Sequence, residues 1–77
     1  MISYDLLWHK LIDLKMNKSD LREICGISTS TLAKLSKNEI VSLEVLEKIC
    51  SSLDCDIGDI ASFRYGNENA QKRALIS

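Results

Sequence analysis

Residues 28–31 are all serine or threonine, and they open a stretch in which every charged side chain is positive. The charged residues that follow are Lys34 and Lys37, and no acidic residue occurs between positions 28 and 38. Hydroxyl groups donate and accept hydrogen bonds, whereas lysine supplies donors and positive charge. This combination suits a polar, anionic partner, because phosphate groups attract lysine and base edges pair with short hydroxyl side chains.

The residue types that support catalysis or metal binding are few and widely spaced. His9 is the only histidine, and the three cysteines, Cys25, Cys50 and Cys55, form no Cys-x-x-Cys pair. The sequence also has no glycine-rich phosphate loop. We therefore predict no enzyme activity, no metal and no cofactor. The cysteines are interpreted as small apolar groups in a reducing cytoplasm, and His9 as a surface residue.

Length and charge define the broad class of protein. A chain of 77 residues forms one domain at most, and its 45% hydrophobic content is that of a globular protein. No apolar run approaches about 18 residues and no secretory signal opens the chain, which predicts a cytoplasmic protein. The net charge is −1, but residues 1–41 carry six basic and five acidic side chains, whereas residues 42–63 carry one basic and five acidic. The negative charge is thus concentrated away from residues 28–38.

Helical periodicity runs through most of the chain, which contains no proline. Apolar residues recur at spacings of three and four, which predicts an all-α fold, a compact bundle of five helices. We predict these helices at residues 4–14, 18–25, 29–36, 43–53 and 57–63. Their predicted N-caps are Ser3, Asn17, Ser28, Ser42 and Asp56, with Asp20 and Asp59 at capping-box positions.

Each predicted helix has an apolar stripe that would face a common core. The stripe residues are Leu7, Trp8, Leu11, Ile12, Leu14, Leu21, Ile24, Cys25, Leu32, Leu35, Val45, Leu46, Ile49, Cys50, Leu53, Ile57, Ile60 and Phe63. The folded domain is assigned to residues 1–65. Residues 66–77 are polar until Ala74 and form a tail that is either disordered or docked on a partner.

The link between the second and third helices is short and contains a glycine. Gly26 follows the second helix directly, as a left-handed helix stop requires, and Ser28 caps the third. Two short amphipathic helices joined by about three residues form a helix-turn-helix. In that motif the second helix lies in the DNA major groove and its first residues meet base edges. The hydroxyl run would then stand at the DNA-facing end.

At this point the chain resembles a known family. The stretch NKSDLREICGISTSTLAKLSKNE, followed by SLEVLEKICSSLDCDIGDI, is similar to the Cro/C1-type helix-turn-helix family, in particular to a small stand-alone subgroup. The residues that carry the resemblance are Leu21, Gly26, Ile27, Ser28, Leu32 and Leu35. The resemblance implies a lambda-repressor-like bundle of five helices. It also implies a transcriptional regulator, a repressor, that binds double-stranded DNA as a homodimer on a palindromic operator.

The resemblance also implies roles for individual residues. Those expected to contact bases are Thr29, Ser30 and Lys34. Those expected to contact the DNA backbone are Asn17, Lys18, Thr31, Lys37 and Asn38. The base-contacting side chains are short, which predicts modest sequence specificity that depends on DNA shape and water. No small-molecule substrate is expected.

Other interpretations of the same residues stay open at the level of sequence. The hydroxyl run can be only a helix start, because caps favour serine and threonine, and the lysines can serve only solubility. The acidic surface of the fourth and fifth helices favours an alternative function. In that alternative the protein is an interaction or antitoxin-like module that keeps the fold but binds DNA weakly or not at all.

Overall fold

The computed structural model describes residues 1–65, which form four α-helices, one 3-10 turn and two short strands. The elements, in chain order, are β1 (Ile2–Ser3), α1 (Asp5–Asp13), α2 (Lys18–Cys25), α3 (Thr29–Ser36), α4 (Leu43–Leu53), the 3-10 turn (Ile57–Asp59) and β2 (Ser62–Phe63). The predicted tail, residues 66–77, lies outside the described residues. The all-helical class is confirmed, but residues 1–65 contain four α-helices and not five.

Helices α2, α3 and α4 have the predicted bounds because their ends are determined by local capping. Asn17 forms a capping box with Asp20, in which each side chain accepts a hydrogen bond from the other residue's backbone N–H. The hydroxyl of Ser28 accepts from the N–H of Thr31, and Ser42 caps α4 in the same way. These bonds satisfy amide groups that have no partner inside the helix.

The predicted fifth helix is wrong. Asp56 and Asp59 do form the predicted capping box, but the helical turn ends after Asp59. The chain then becomes extended, and Ser62 and Phe63 pair antiparallel with Ser3 and Ile2. A capping box marks where a helix begins and not how long it runs, and here pairing with the N-terminal strand replaces further helical bonds.

The start of α1 also differs from the prediction. Ser3 lies in β1 and is buried, and its hydroxyl accepts a hydrogen bond from the N–H of Asp5 at 3.3 Å. Tyr4 occupies the cap position without a capping side chain. Its ring is buried in the core, and its hydroxyl donates to the carbonyl oxygen of Glu39 at 2.8 Å. Tyr4 therefore ties the start of α1 to the segment that follows α3.

The core contains most of the predicted stripe residues, but several large apolar side chains are exposed. Trp8 is half-buried and packs against the core, and Leu21, Leu35, Ile49 and Ile60 are fully buried. The stripe residues that the structure leaves exposed, contrary to prediction, are Ile12, Leu14, Ile24, Ile57 and Phe63. Among residues 1–65 no helix has the length and hydrophobicity to cross a membrane.

Candidate nucleic-acid interface

The turn between α2 and α3 has the predicted geometry. Gly26 adopts a left-handed conformation with φ of 67°, and its N–H donates to the carbonyl of Arg22 at 3.0 Å. The N–H of Ile27 donates to the same carbonyl, and the Ile27 side chain is buried. This pair of bonds ends α2, and α3 begins after a link of three residues, 26–28. The first residues of α3 are thereby placed at a corner of the fold.

The hydroxyl side chains at the start of α3 lie at the surface. Ser28, Thr29 and Ser30 are exposed, and Thr31 is half-buried. The hydroxyl of Ser28 accepts from the N–H of Thr31 at 3.1 Å and donates to the hydroxyl of Thr31 at 2.9 Å. A third bond of 3.1 Å joins the hydroxyls of Ser28 and Ser30. The cap is thus the centre of a small hydroxyl cluster that faces outward.

Thr29 differs from its neighbours because its side chain is not used in this cluster. Within residues 1–65 no group hydrogen-bonds to the Thr29 hydroxyl, and the N–H groups of Thr29 and Ser30 also lack partners. A helix N-terminus with free N–H groups carries partial positive charge. This end of α3 therefore offers hydrogen-bonding groups and a favourable potential to a phosphate or a base edge.

Lys34 and Lys37 provide exposed positive charge on this surface. Both side chains are exposed, and neither forms an ion pair within the described part of the chain. The ion pair that the structure does contain there joins Arg64 to Asp5, at 2.7 Å, near the paired strands. The two lysine charges are consequently available to an external anion.

The side chain of Lys18 makes two contacts within the protein that the sequence did not predict. Its ammonium nitrogen donates to the hydroxyl of Ser36 at 3.1 Å and lies 4.5 Å from the centroid of the Trp8 ring. These contacts link α2 to the last turn of α3 and to α1, and cation–π contacts of this kind stabilise by about 0.5–1 kcal/mol at exposed sites. Lys18 retains further N–H donors for a phosphate. Sequence reasoning missed Ser36, because no local spacing relates it to Lys18.

Asn17 and Asn38 each use the side-chain oxygen inside the protein. The oxygen of Asn17 accepts from the N–H of Asp20 at 2.8 Å. The oxygen of Asn38 accepts from the N–H of Tyr4 at 3.1 Å, and its backbone has a left-handed conformation with φ of 56°. In both residues the amide NH₂ group remains as the donor for a phosphate oxygen.

Variants of Asn38 should separate its structural role from a role in DNA binding. We expect Asn38→Ala to destabilise the fold by about 2 kcal/mol, because alanine strains the left-handed backbone and leaves the Tyr4 N–H unpaired. Asn38→Asp keeps the acceptor and tolerates this conformation, but it replaces the NH₂ donor with a negative charge. It should therefore unfold at a urea concentration close to wild type yet bind DNA more weakly. A stable Asn38→Asp variant with unchanged DNA affinity would contradict the phosphate contact.

An apolar groove of about 420 Å³ lies on a different part of the surface, and none of the residues that line it is charged. We call the most prominent of these side chains the apolar face: Ile2, Ile40, Leu43, Ile57 and Phe63. Ile40, Leu43 and Phe63 are 82%, 74% and 68% exposed. Ile40 and Leu43 lie outside the helical stripes, so sequence reasoning missed them; their signal is two large apolar residues beside a polar N-cap, Ser42.

Known proteins share this arrangement of α2, the turn and α3. A family model described as a Cro/C1-type HTH DNA-binding domain matches residues 6–64. The chain belongs to this family. The match begins at the second residue of α1, extends just past β2, and includes the turn at Gly26 and the whole of α3, so the surface described above lies inside the family's domain.

Two transcriptional regulators are similar to this chain, one in sequence and one in fold. Over 52 residues the chain is 38% identical to the uncharacterized HTH-type transcriptional regulator YozG of Bacillus subtilis (strain 168); the alignment covers 65% of this chain and 62% of that protein. The chain thus spans less than two thirds of that relative's length. Its fold is similar to the crystal structure of the transcriptional regulator VanUg, Form II, with a TM-score of 0.78 and 57% identity, over 79% of this chain and 81% of that one.

Proposed function

We propose that the protein is a sequence-specific DNA-binding transcriptional regulator that represses by inserting the N-terminal end of α3 into the major groove. The observation that carries this proposal is the exposed start of α3, where the Thr29 hydroxyl and two backbone N–H groups lack partners within residues 1–65. Thr29, Ser30 and Lys34 are the proposed base contacts, because their positions on α3 lie nearest to this end or one turn behind it.

The flanking residues are proposed to position α3 by gripping the phosphate backbone. Asn17 and Lys18 stand at the start of α2, whereas Lys37 and Asn38 stand just after α3. Together with Thr31 they would fix the register of the helix in the groove without reading sequence. The Lys18 contacts to Trp8 and Ser36 hold its charge close to α3 and limit the entropy lost on binding.

We further propose that the protein binds DNA as a homodimer whose subunits meet at the apolar face. Contiguous exposed apolar surface is uncommon on monomers and marks interaction sites. The lining of the groove carries no charge, so the matching surface of a second copy would be equally apolar. None of its lining residues belongs to the hydroxyl cluster or to the proposed DNA contacts. Pairing and DNA binding can therefore occur together.

A gel-shift assay on pooled fragments of the source genome tests the proposed function. At low salt we expect a subset of fragments to be retarded, and retardation should fall steeply as salt increases, because phosphate contacts release counterions. Absence of retardation at low salt would contradict it. In that case purification with a stable protein partner that shields residues 29–37 would favour the interaction module instead.

A further inference from the structure

The C-terminal end of α4 brings two cysteines together. Asp54 adopts a left-handed conformation with φ of 53°, and its N–H donates to the carbonyl of Cys50. The N–H of Cys55 donates to the same carbonyl at 3.0 Å. In this helix-ending motif one hydrogen bond spans five positions in the chain, and the side chains of the two residues that it joins frequently pack against each other. Here those two residues are Cys50 and Cys55, where an apolar pair is usual.

The two cysteines are joined by this backbone hydrogen bond, and both pack against the core. Both residues are half-buried and both thiols are free. Burial in the first place, then the neighbouring Cys55 and the carboxylates of Asp56 and Asp59, raise the pKa of Cys50 to about 11. Cys25 is a different case: it is buried, and its thiol interacts with Ser52. The chain therefore contains one thiol pair and one isolated thiol among its described residues.

We propose that Cys50 and Cys55 form a dithiol–disulfide pair, which a low-molecular-weight disulfide oxidises to an intramolecular bond that joins the last turn of α4 to the following loop. The proposal concerns stability and redox chemistry, and it is independent of DNA binding. Disulfides in intracellular proteins are usually transient and redox-sensing, and a backbone hydrogen bond that brings two cysteines together favours such chemistry.

The reaction proceeds by two thiol–disulfide exchanges. The Cys55 thiolate attacks one sulfur of the reagent RSSR, the S–S bond breaks, and RS⁻ leaves with the electron pair and takes up a proton. The Cys50 thiolate then attacks the Cys55 sulfur and displaces the second RS⁻, which is also protonated. Two protein thiols are oxidised, and one RSSR is reduced to two RSH. Cys50 attacks second, after its thiol has lost its proton to water, because its raised pKa makes its thiolate scarce.

The acidic neighbours predict which reagents react fastest. Asp56 and Asp59 act electrostatically on Cys50, so they repel an anionic disulfide and attract a cationic one. The order of rates should be cystamine, then hydroxyethyl disulfide, then glutathione disulfide. Asp56→Asn combined with Asp59→Asn keeps side-chain oxygens for both caps and should reduce the differences between the three rates. Equal rates with the wild-type chain would overturn the role given to the carboxylates.

Mass spectrometry after tryptic digestion locates the bond. The reduced full chain is exposed to hydroxyethyl disulfide, alkylated and digested. Cleavage after Lys48 and Arg64 leaves Cys50 and Cys55 in one peptide and Cys25 in another. We expect the first peptide to lose two hydrogens and to escape alkylation, while Cys25 stays alkylated. The Cys50→Ser variant should stop at a mixed disulfide on Cys55.

A redox titration distinguishes a preformed pair from two cysteines that are merely close in sequence. In the folded chain the disulfide should persist at a ratio of reduced to oxidised reagent at least about tenfold higher than in the chain unfolded by guanidinium. By linkage, the same tenfold factor increases the folding equilibrium constant of the oxidised chain relative to the reduced chain. Oxidation should therefore raise the midpoint temperature of thermal unfolding. An equal or lower ratio in the folded chain would overturn the proposal. Disulfides between chains, or oxidation of Cys25 first, would overturn it as well.

Discussion

Replacing both Lys34 and Lys37 with glutamate should lower the affinity for duplex DNA by at least about 100-fold at low salt. Both side chains are exposed beside the free N-terminal end of α3, and neither has an ion-pair partner within residues 1–65. The loss arises because two attractive charges per subunit become repulsive toward phosphate. Fluorescence anisotropy with a labelled operator fragment measures it.

The salt dependence of the same titration identifies the cause of this loss. Each phosphate contact removed should reduce the slope of log K against log salt by about 0.9, so Lys37→Ala, which removes a proposed phosphate contact, should reduce it by about 0.9 per subunit, whereas Lys34→Ala, at a proposed base contact, should change it less. The matched control is Lys48→Glu on α4 compared with Lys37→Glu alone, since each makes the same change of charge at an exposed position. An equal loss of affinity for Lys48→Glu would show that only net charge matters, and would contradict the assigned surface.

The second large effect concerns the apolar face. Leu43→Glu should weaken self-association by at least about 100-fold, because Leu43 is 74% exposed in one subunit and would be buried against its partner. Residue 43 is the first of α4, where a negative charge favours the helix. The variant should therefore fold as well as wild type. Sedimentation equilibrium over a range of concentrations measures the dissociation constant.

A matched control distinguishes this surface from exposed hydrophobicity in general. Ile12 is 71% exposed on α1 and does not line the groove, so Ile12→Glu should leave self-association unchanged. On palindromic DNA, Leu43→Glu should reduce affinity toward that of a single half-site, because the second subunit no longer binds at a high effective concentration. A monomeric wild-type chain, or a dimer that Leu43→Glu leaves intact, would contradict the proposed interface.

The sequence predicts the helix-turn-helix well because its boundaries are determined by neighbouring residues. Asn17 with Asp20 begins α2, Gly26 ends it, and Ser28 begins α3; each signal acts over at most four positions. The start and end of α4 follow the same logic. Local signals of this kind place Lys18, Thr29 and Lys34 on α2 and α3. Their roles in DNA binding are implied by the family resemblance and stay proposals.

Features that depend on distant parts of the chain are predicted poorly. The pairing of Ile2 with Phe63 joins residues about sixty positions apart, and no local pattern indicates it. It converts the end of the predicted fifth helix into a strand and leaves Phe63 exposed. The Lys18 contact with Trp8 and the apolar face are also products of tertiary packing. Periodicity identifies an apolar side chain but not which surface covers it.

Selection of binding sites from random duplex DNA tests the central claim, that the start of α3 contacts base edges, most directly. The selection is run with wild type, Thr29→Ala, Lys34→Ala and, as a backbone control, Lys37→Ala. We expect the alanine variants at positions 29 and 34 to select altered sequences, with about 1–3 kcal/mol less discrimination at the affected bases. Lys37→Ala should lose affinity uniformly and select the wild-type sequence. An unchanged selected sequence for both Thr29→Ala and Lys34→Ala would contradict base contact by the start of α3.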